Sequence, residues 1–199
     1  MKHNRIISLL IIVFLFLSTN RLTAQSLMHS FGLTLSVLQG TLHQGSGSES
    51  FGVEENNFTW FPRYNFIEGE NSSVSIGAPL GVGIGLVTNT IGNDAGVLFS
   101  YDLPVAIDYN FGCKSTREND RTFGGYFGAG FGYNKVTITG SSYSDFNGSS
   151  YGPLIRAGFR FGSANESWGS HAITAGVFYK MGLEKDKLHT IGFNVLMDL

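Results

Sequence analysis

From Leu27 to the last residue the chain keeps a two-residue beat. Leu, Val, Ile, Phe and Tyr alternate with glycines or polar residues, as in Val82-Gly83-Ile84-Gly85-Leu86 and Ile191-Gly192-Phe193-Asn194-Val195-Leu196-Met197. Successive side chains of a β-strand point to opposite faces, so the beat predicts strands with one apolar face and one small or polar face. Eight strands are expected. The first, over about 27–38, carries Leu27, Phe31, Leu33, Leu35 and Val37 on one face. The second sets Phe58, Trp60, Tyr64 and Phe66 against Asn57, Thr59, Arg63 and Asn65. The third, about 73–87, has the cleanest alternation, with Val74, Ile76, Leu80, Val82, Ile84 and Leu86 opposite Ser75, Gly77, Gly81, Gly83 and Gly85.

The fourth strand puts Val97, Phe99, Tyr101, Leu103, Val105, Ile107, Tyr109 and Phe111 on one face, with Ser100, Asp102, Asp108 and Asn110 on the other. The fifth, about 122–138, alternates Phe123, Phe127, Phe131 and Tyr133 with Gly124, Gly128, Gly130 and Gly132, and Tyr126 breaks the small-residue side. The sixth sets Tyr151, Ile155, Ala157, Phe159 and Phe161 against Arg156, Gly158, Arg160 and Gly162. The seventh covers 171–181 and the eighth runs from about 188 to the carboxyl end. Connections are expected near 40–56, 88–95, 139–150 and 183–187 at one end, and near 67–72, 112–121 and 163–169 at the other. Pro62, Pro79, Pro104 and Pro153 fall inside these strands and cannot donate to a ladder, so bulges or strand ends must absorb them. Pro79 stands near the middle of the third strand; a split there leaves the count unchanged if both halves stay on one line.

The beat alone fits any half-buried sheet; the amino terminus narrows it. Lys2 and Arg5 flank an apolar run, Ile6 to Leu17, broken only by Ser8, and a polar stretch then leads to Leu22-Thr23-Ala24-Gln25. That order is the one found in secretory signal peptides. The run is too short for a spanning helix, which needs roughly twenty apolar residues. Residues 1–25 are therefore read as a cleaved signal and 26–199 as one domain. The apolar faces cover the length a tilted strand needs to cross the hydrocarbon, and an even strand number returns both chain ends to one side. The expectation is an all-β fold, an eight-stranded antiparallel up-and-down transmembrane β-barrel, with the large residues facing lipid and the glycines and charges facing a narrow, filled interior. A soluble periplasmic barrel or sandwich is the structural alternative.

Composition and charge exclude several classes. Of 13 basic residues Lys2, Arg5 and Arg21 belong to the signal, leaving 10 against 15 acidic ones, with no basic stripe for nucleic acid. Cys113 is the single cysteine, so neither an internal disulfide nor a cysteine-based metal site can form. Aromatics at 14% with 27 glycines are too rich and too evenly spread for a disordered chain. Outward aromatics, Phe58, Trp60, Tyr101, Tyr109, Phe111, Phe123, Tyr133, Tyr151, Phe161 and Tyr179, are placed toward strand ends as two girdles.

Asp102-Leu103-Pro104-Val105, followed by Tyr109-Asn110-Phe111-Gly112 and a short charged turn, resembles a hairpin of the bacterial outer-membrane protein β-barrel domain family. The last strand is similar to the sorting signal of such proteins, with Gly192 followed by Phe193, Val195, Met197 and Leu199, ending on Leu199 where an aromatic is common. By strand number and size the chain also resembles the small barrels of the outer-membrane protein A and X type. The resemblance covers the whole mature chain. It implies an outer-membrane location, lipid as the surrounding partner and the barrel-assembly machinery as a partner during biogenesis.

The inward positions collect Arg63, Arg156, Arg160 and Lys180 with Asp102, Asp108 and Asp198. Paired, these charges would form a polar network that fills the interior; a narrow porin-like path that opens when pairs exchange partners is the functional alternative. His29, His171 and His189 fall on outward faces and His43 in a loop beside Ser46 and Ser48, so no catalytic setting is evident for a lipid-modifying enzyme. The glycine runs at 81–85 and 128–132 lack the dinucleotide pattern and the helix it needs. Glu54 and Glu55 read as a solvated loop rather than a calcium site. No catalytic residue, cofactor site or metal site is assigned. The functional expectation is a monomeric, non-catalytic structural or surface-interaction protein, with a surface ligand, if any, met by the first and third outer loops.

Overall fold

The computed structural model describes residues 26–44, 47–88, 95–140, 146–162, 171–183 and 189–199. Among them are nine strands: β1 (Leu27–Gln44), β2 (Gly47–Glu68), β3 (Ser72–Gly77), β4 (Leu80–Thr88), β5 (Ala95–Gly112), β6 (Phe123–Gly140), β7 (Phe146–Gly162), β8 (Ala172–Lys180) and β9 (His189–Asp198). All pairings are antiparallel. β3 and β4 are the two halves of the third expected strand, and both pair with β2 on one side and β5 on the other. They share one place in the sheet, so nine strands occupy eight positions. Beyond β5 the order runs β6, β7, β8, β9, and β9 pairs back onto β1 from Ser30 opposite Asp198 to Gln39 opposite His189. The pairings thus run full circle.

The prolines explain the split. The β2–β3 ladder stops at Arg63 opposite Gly77, and the β2–β4 ladder starts at Trp60 opposite Leu80. Pro62 and Pro79 lie in that interruption, where the Ala78 amide donates to the Pro62 carbonyl at 3.0 Å. On β5, Pro104 falls between Asp102, which faces Gly81, and Ala106, which faces Gly77. Three residues without an N–H therefore meet at one level on adjacent positions, which confines the lost ladder bonds to a single gap. Pro153 sits just past the last β7–β8 pair and accepts from the Met181 amide at 2.9 Å.

Two faces follow the beat. Outward positions on β5, from Val97 to Phe111, are all exposed, while Ala106, Asp108 and Asn110 between them are buried. Tyr101 and Phe111 are ten residues apart; at about 3.3 Å per residue and a tilt near 40° they bound a band about 25 Å tall, the height of an outward apolar belt. Above Tyr133 on β6 the pattern inverts, whereas on β5 Val97 and Phe99 above Tyr101 still face out. Leu38, Val53, Leu98, Val136 and Ile138 point inward and cluster, whereas Gln39, Glu54, Asn56 and Thr139 face out and are exposed.

Several expectations change accordingly. The segment near 40–56 is not a long loop: β1 and β2 continue through it as a paired hairpin, from Leu35 opposite Asn56 to Gln44 opposite Gly47. Near 139–150, β6 runs to Gly140 and β7 starts at Phe146. Backbone ladders need no apolar face, so Gly- and Ser-rich sequence pairs here without showing the beat. Tyr101, Tyr133 and Tyr151 consequently lie inside their strands and mark the edge of the belt rather than strand ends. The expected connections near 163–169 and 183–187 fall mostly outside the described residues.

Candidate functional site

The interior of the cylinder holds polar and charged side chains, arranged in layers from the end bearing Leu27 and Leu199 (the near end) to the hairpin end (the far end). Nearest the chain termini, Arg63 on β2 and Arg160 on β7 share two acceptors. Arg63 donates to the Asn110 Oδ1 at 3.2 Å and to the Lys114 carbonyl at 2.5 Å, and Arg160 donates to the same atoms at 2.8 and 3.5 Å. Arg160 Nε also lies 3.6 Å from Asp198 Oδ2, and Asp198 accepts hydrogen bonds from Ser30 and Thr174. Both guanidinium groups are buried, and these acceptors replace the water lost by their terminal nitrogens, while the Nε of each makes no hydrogen bond.

One layer further in, the Arg156 guanidinium lies over two rings, 4.3 Å from the Phe61 centroid and 4.7 Å from that of Tyr126. Its Nε is 3.6 Å from Asp108 Oδ1. Tyr126 carries Arg160 on its ring as well, at 5.0 Å. Glycines make this possible: a Cβ at Gly158 would stand 2.7 Å from Tyr126 Cε1, and one at Gly176 would collide with the Tyr126 hydroxyl. The small inward residues are the room the large ones occupy.

Above Arg156 is a cavity of about 40 Å³, lined in part by Thr34, Thr59, Asp102, Arg156, Lys180 and Asn194. At some 10–15 Å³ per water it has space for about three. Lys180 Nζ and the Asn134 amide reach Asp102 Oδ1 at 3.2 and 3.0 Å. Higher still, Glu55 is 1% exposed and accepts from Ser36 at 3.0 Å and from Ser100. This corrects the reading of Glu54 and Glu55 as a solvated loop: β2 sends Glu54 outward and Glu55 into the interior. Beyond Glu55 the apolar cluster of Leu38, Val53, Leu98, Val136 and Ile138 fills the interior.

The structure brings Arg156 to Asp108, Arg160 to Asp198 and Lys180 to Asp102, and leaves Arg63 bound to carbonyl and amide oxygens instead of a carboxylate. Sequence reading missed Phe61, Glu55 and the carbonyls of the 113–122 connection. Phe61 is the odd member of an otherwise polar inward set, and its phase between Trp60 and Pro62 was the available signal. Gly192 faces inward, and Phe193, Val195, Met197 and Leu199 face outward and are exposed. His29 stacks on Trp60 at 6.0 Å, and His189 bonds the Tyr179 hydroxyl at 3.1 Å. Among the described residues no three His, Cys, Asp or Glu side chains gather at a point that could hold a metal ion.

No family model matches the sequence, and no curated protein matches it. Solved structures do. Ail, the attachment invasion locus protein of Yersinia pestis, crystallised with the heparin analogue sucrose octasulfate, is similar with a TM-score of 0.51 at 16% identity, over 89% of this chain and 100% of that one. The outer membrane protein OprG of Pseudomonas aeruginosa is similar at 10% identity over 88% of this chain and 95% of that one, with a TM-score of 0.49. The Ail superposition, together with the circular strand order, gives this chain the all-β fold of a small bacterial outer-membrane β-barrel.

Proposed function

We propose that the protein is an integral outer-membrane β-barrel that acts without catalysis, as a structural or surface-interaction protein, and that residues 1–25 are removed as a signal peptide to leave 26–199 as the mature domain. The observation that carries this reading is the inversion of the beat. Over a band about 25 Å tall the large apolar residues face out, and above it the apolar positions of β1 and β6 turn inward at Leu38, Val136 and Ile138, while Val97 and Phe99 on β5 stay outward. A soluble barrel has no reason to reverse its faces partway along a strand, whereas a lipid boundary requires it. The near end then lies in the periplasm and the β1–β2 and β6–β7 hairpins stand outside the cell as a collar. Gly192, Phe193, Val195, Met197 and Leu199 serve as the assembly signal, and the barrel works as a monomer.

The collar is the surface through which a partner would be met. What Ail was crystallised with does not carry over: the described outward face above the belt has Lys135 as its one lysine or arginine, beside exposed Glu54. A polysulfated sugar needs a cluster of cations. The channel reading is disfavoured because both ends of the interior are filled.

Two measurements test this. The protein should stay in the membrane pellet through carbonate extraction and migrate differently on gels before and after boiling; release by carbonate would overturn the membrane reading. In a Cys113→Ser background, Thr139→Cys should react on intact cells with a membrane-impermeant maleimide and Asp120→Cys should not. The reverse pattern would invert the orientation and remove the collar as a surface partner site.

A further inference from the structure

At the near end the interior is closed by the chain itself. The connection between β5 and β6 was expected to be a charged turn, yet Cys113, Lys114, Ser115, Thr116 and Asn119 within it are each less than a tenth exposed, and only Arg117, Glu118, Asp120, Arg121 and Thr122 are exposed. Its backbone is fastened to interior side chains of three walls. The Lys114 carbonyl accepts from Arg63 on β2 and Arg160 on β7, and the Ser115 carbonyl accepts from Asn65 Nδ2 at 3.0 Å and from Ser73 Oγ at 2.5 Å. β2 and β7 stand four positions apart on an eight-position circle, so the two guanidinium groups reach the same oxygen from opposite sides. The Asn119 amide adds bonds to the Glu70 carbonyl and Asn71 at 3.3 and 3.4 Å.

The backbone is shaped for this inward tuck. Gly112 has φ 66° and Lys114 φ 52°, the left-handed region that a lysine rarely adopts. Gly162 supplies the space, since a Cβ there would stand 2.7 Å from Cys113 Sγ. A turn that merely joined two strands would need neither a strained lysine nor two buried guanidinium groups spent on its carbonyl.

We propose that residues 113–119 are a latched stopper in the near-end mouth of the barrel, held across its diameter by Arg63 and Arg160. This inference rests on the transmembrane reading and adds two barriers in series to it. The near one is polar and releasable, because water can replace each of its hydrogen bonds; the far one is the apolar cluster around Leu98 and Val136. Removing either alone leaves the interior closed, and the layer of Arg156, Phe61 and Tyr126 stands between them.

The single cysteine is a built-in probe, since Cys113 lies in the stopper with its side chain buried. In the full-length protein reconstituted in lipid vesicles, its thiol should react slowly with maleimide. The Arg63→Gln, Arg160→Gln double variant should speed that reaction about tenfold or more, the signature of a local opening. Gly162→Val, which leaves both arginines in place and pushes on the Cys113 sulfur, should do the same and covers the case in which the arginine variant does not assemble. Neither variant should conduct in planar bilayers. Fast labelling of the wild-type thiol, or unchanged labelling in assembled variants, would overturn the stopper. A wild-type protein that shows no heat-modifiable mobility in membranes would instead overturn the transmembrane reading, whatever the labelling shows.

Discussion

At the residue scale the interior is governed by how buried charge is satisfied. Arg156 is nearly out of contact with solvent, stacked between Phe61 and Tyr126, and among the described residues Asp108, at 3.6 Å, is the one carboxylate within 4 Å of it. Removing that partner leaves a guanidinium charge offset only by ring faces. Asp108→Leu should therefore lower stability by about 3–5 kcal/mol in urea unfolding from micelles, and Arg156→Met placed on top of it should recover most of the loss. If the single variant costs no more than the double, the pair does not act as a unit. Gly176→Val makes a steric counterpart: the Tyr126 hydroxyl occupies the space its side chain needs, and a loss of about 1–3 kcal/mol is expected from overpacking. Cys113, in the connection below the strands, answers to the same rule. Burial, ahead of the nearby Asp198 carboxylate, pushes its thiol up, so little thiolate is present near neutral pH.

At the element scale β6 changes meaning along its length. On β6, Phe127 and Phe131 are outward, Tyr133 marks the edge, and Val136 and Ile138 are inward. The reversal is a shift of phase from odd to even apolar positions, visible in the letters themselves, and β1 repeats it between Val37 and Leu38. A charge should be tolerated on one side of that boundary and not on the other. Ile107→Lys, near mid-belt on β5, should cost about 2–4 kcal/mol when refolding into lipid vesicles is followed by gel shift, while Thr139→Lys should stay within about 0.5 kcal/mol of wild type. Equal costs would mean that no lipid boundary lies between them. The strand faces were legible in sequence because the two faces of the sheet carry opposite polarity at a period of two. The ends of β1, β2, β6 and β7 were not, because Gly- and Ser-rich stretches pair through their backbones and leave no such trace.

At the scale of the whole molecule, closure does what no single strand can. With β9 returned to β1, the sheet presents no long free edge within the belt, which is what lipid demands, since it offers no hydrogen-bond partner to an open edge. Closure also brings Arg63 and Arg160 face to face across the interior, although they are 97 residues apart in sequence. The wild-type barrel should accordingly show no conductance in planar bilayers under conditions where the boiled and unboiled forms separate on gels; a steady open conductance would mean that neither stopper forms.

The sequence by itself determined the all-β architecture and the outward belt, and it marked Pro79 as a break in the third strand's ladder, because each follows from local alternation or from the chemistry of a single residue. It named Arg156, Asp108, Lys180 and Asp102 as one network without being able to pair them. Tertiary structure alone decided that Arg63 holds a carbonyl and not a carboxylate, that Glu55 turns inward, and that the 113–119 connection folds back into the mouth. Those outcomes depend on which walls stand opposite one another, and that is fixed by the register and closure of the whole sheet, not by any stretch of residues within it.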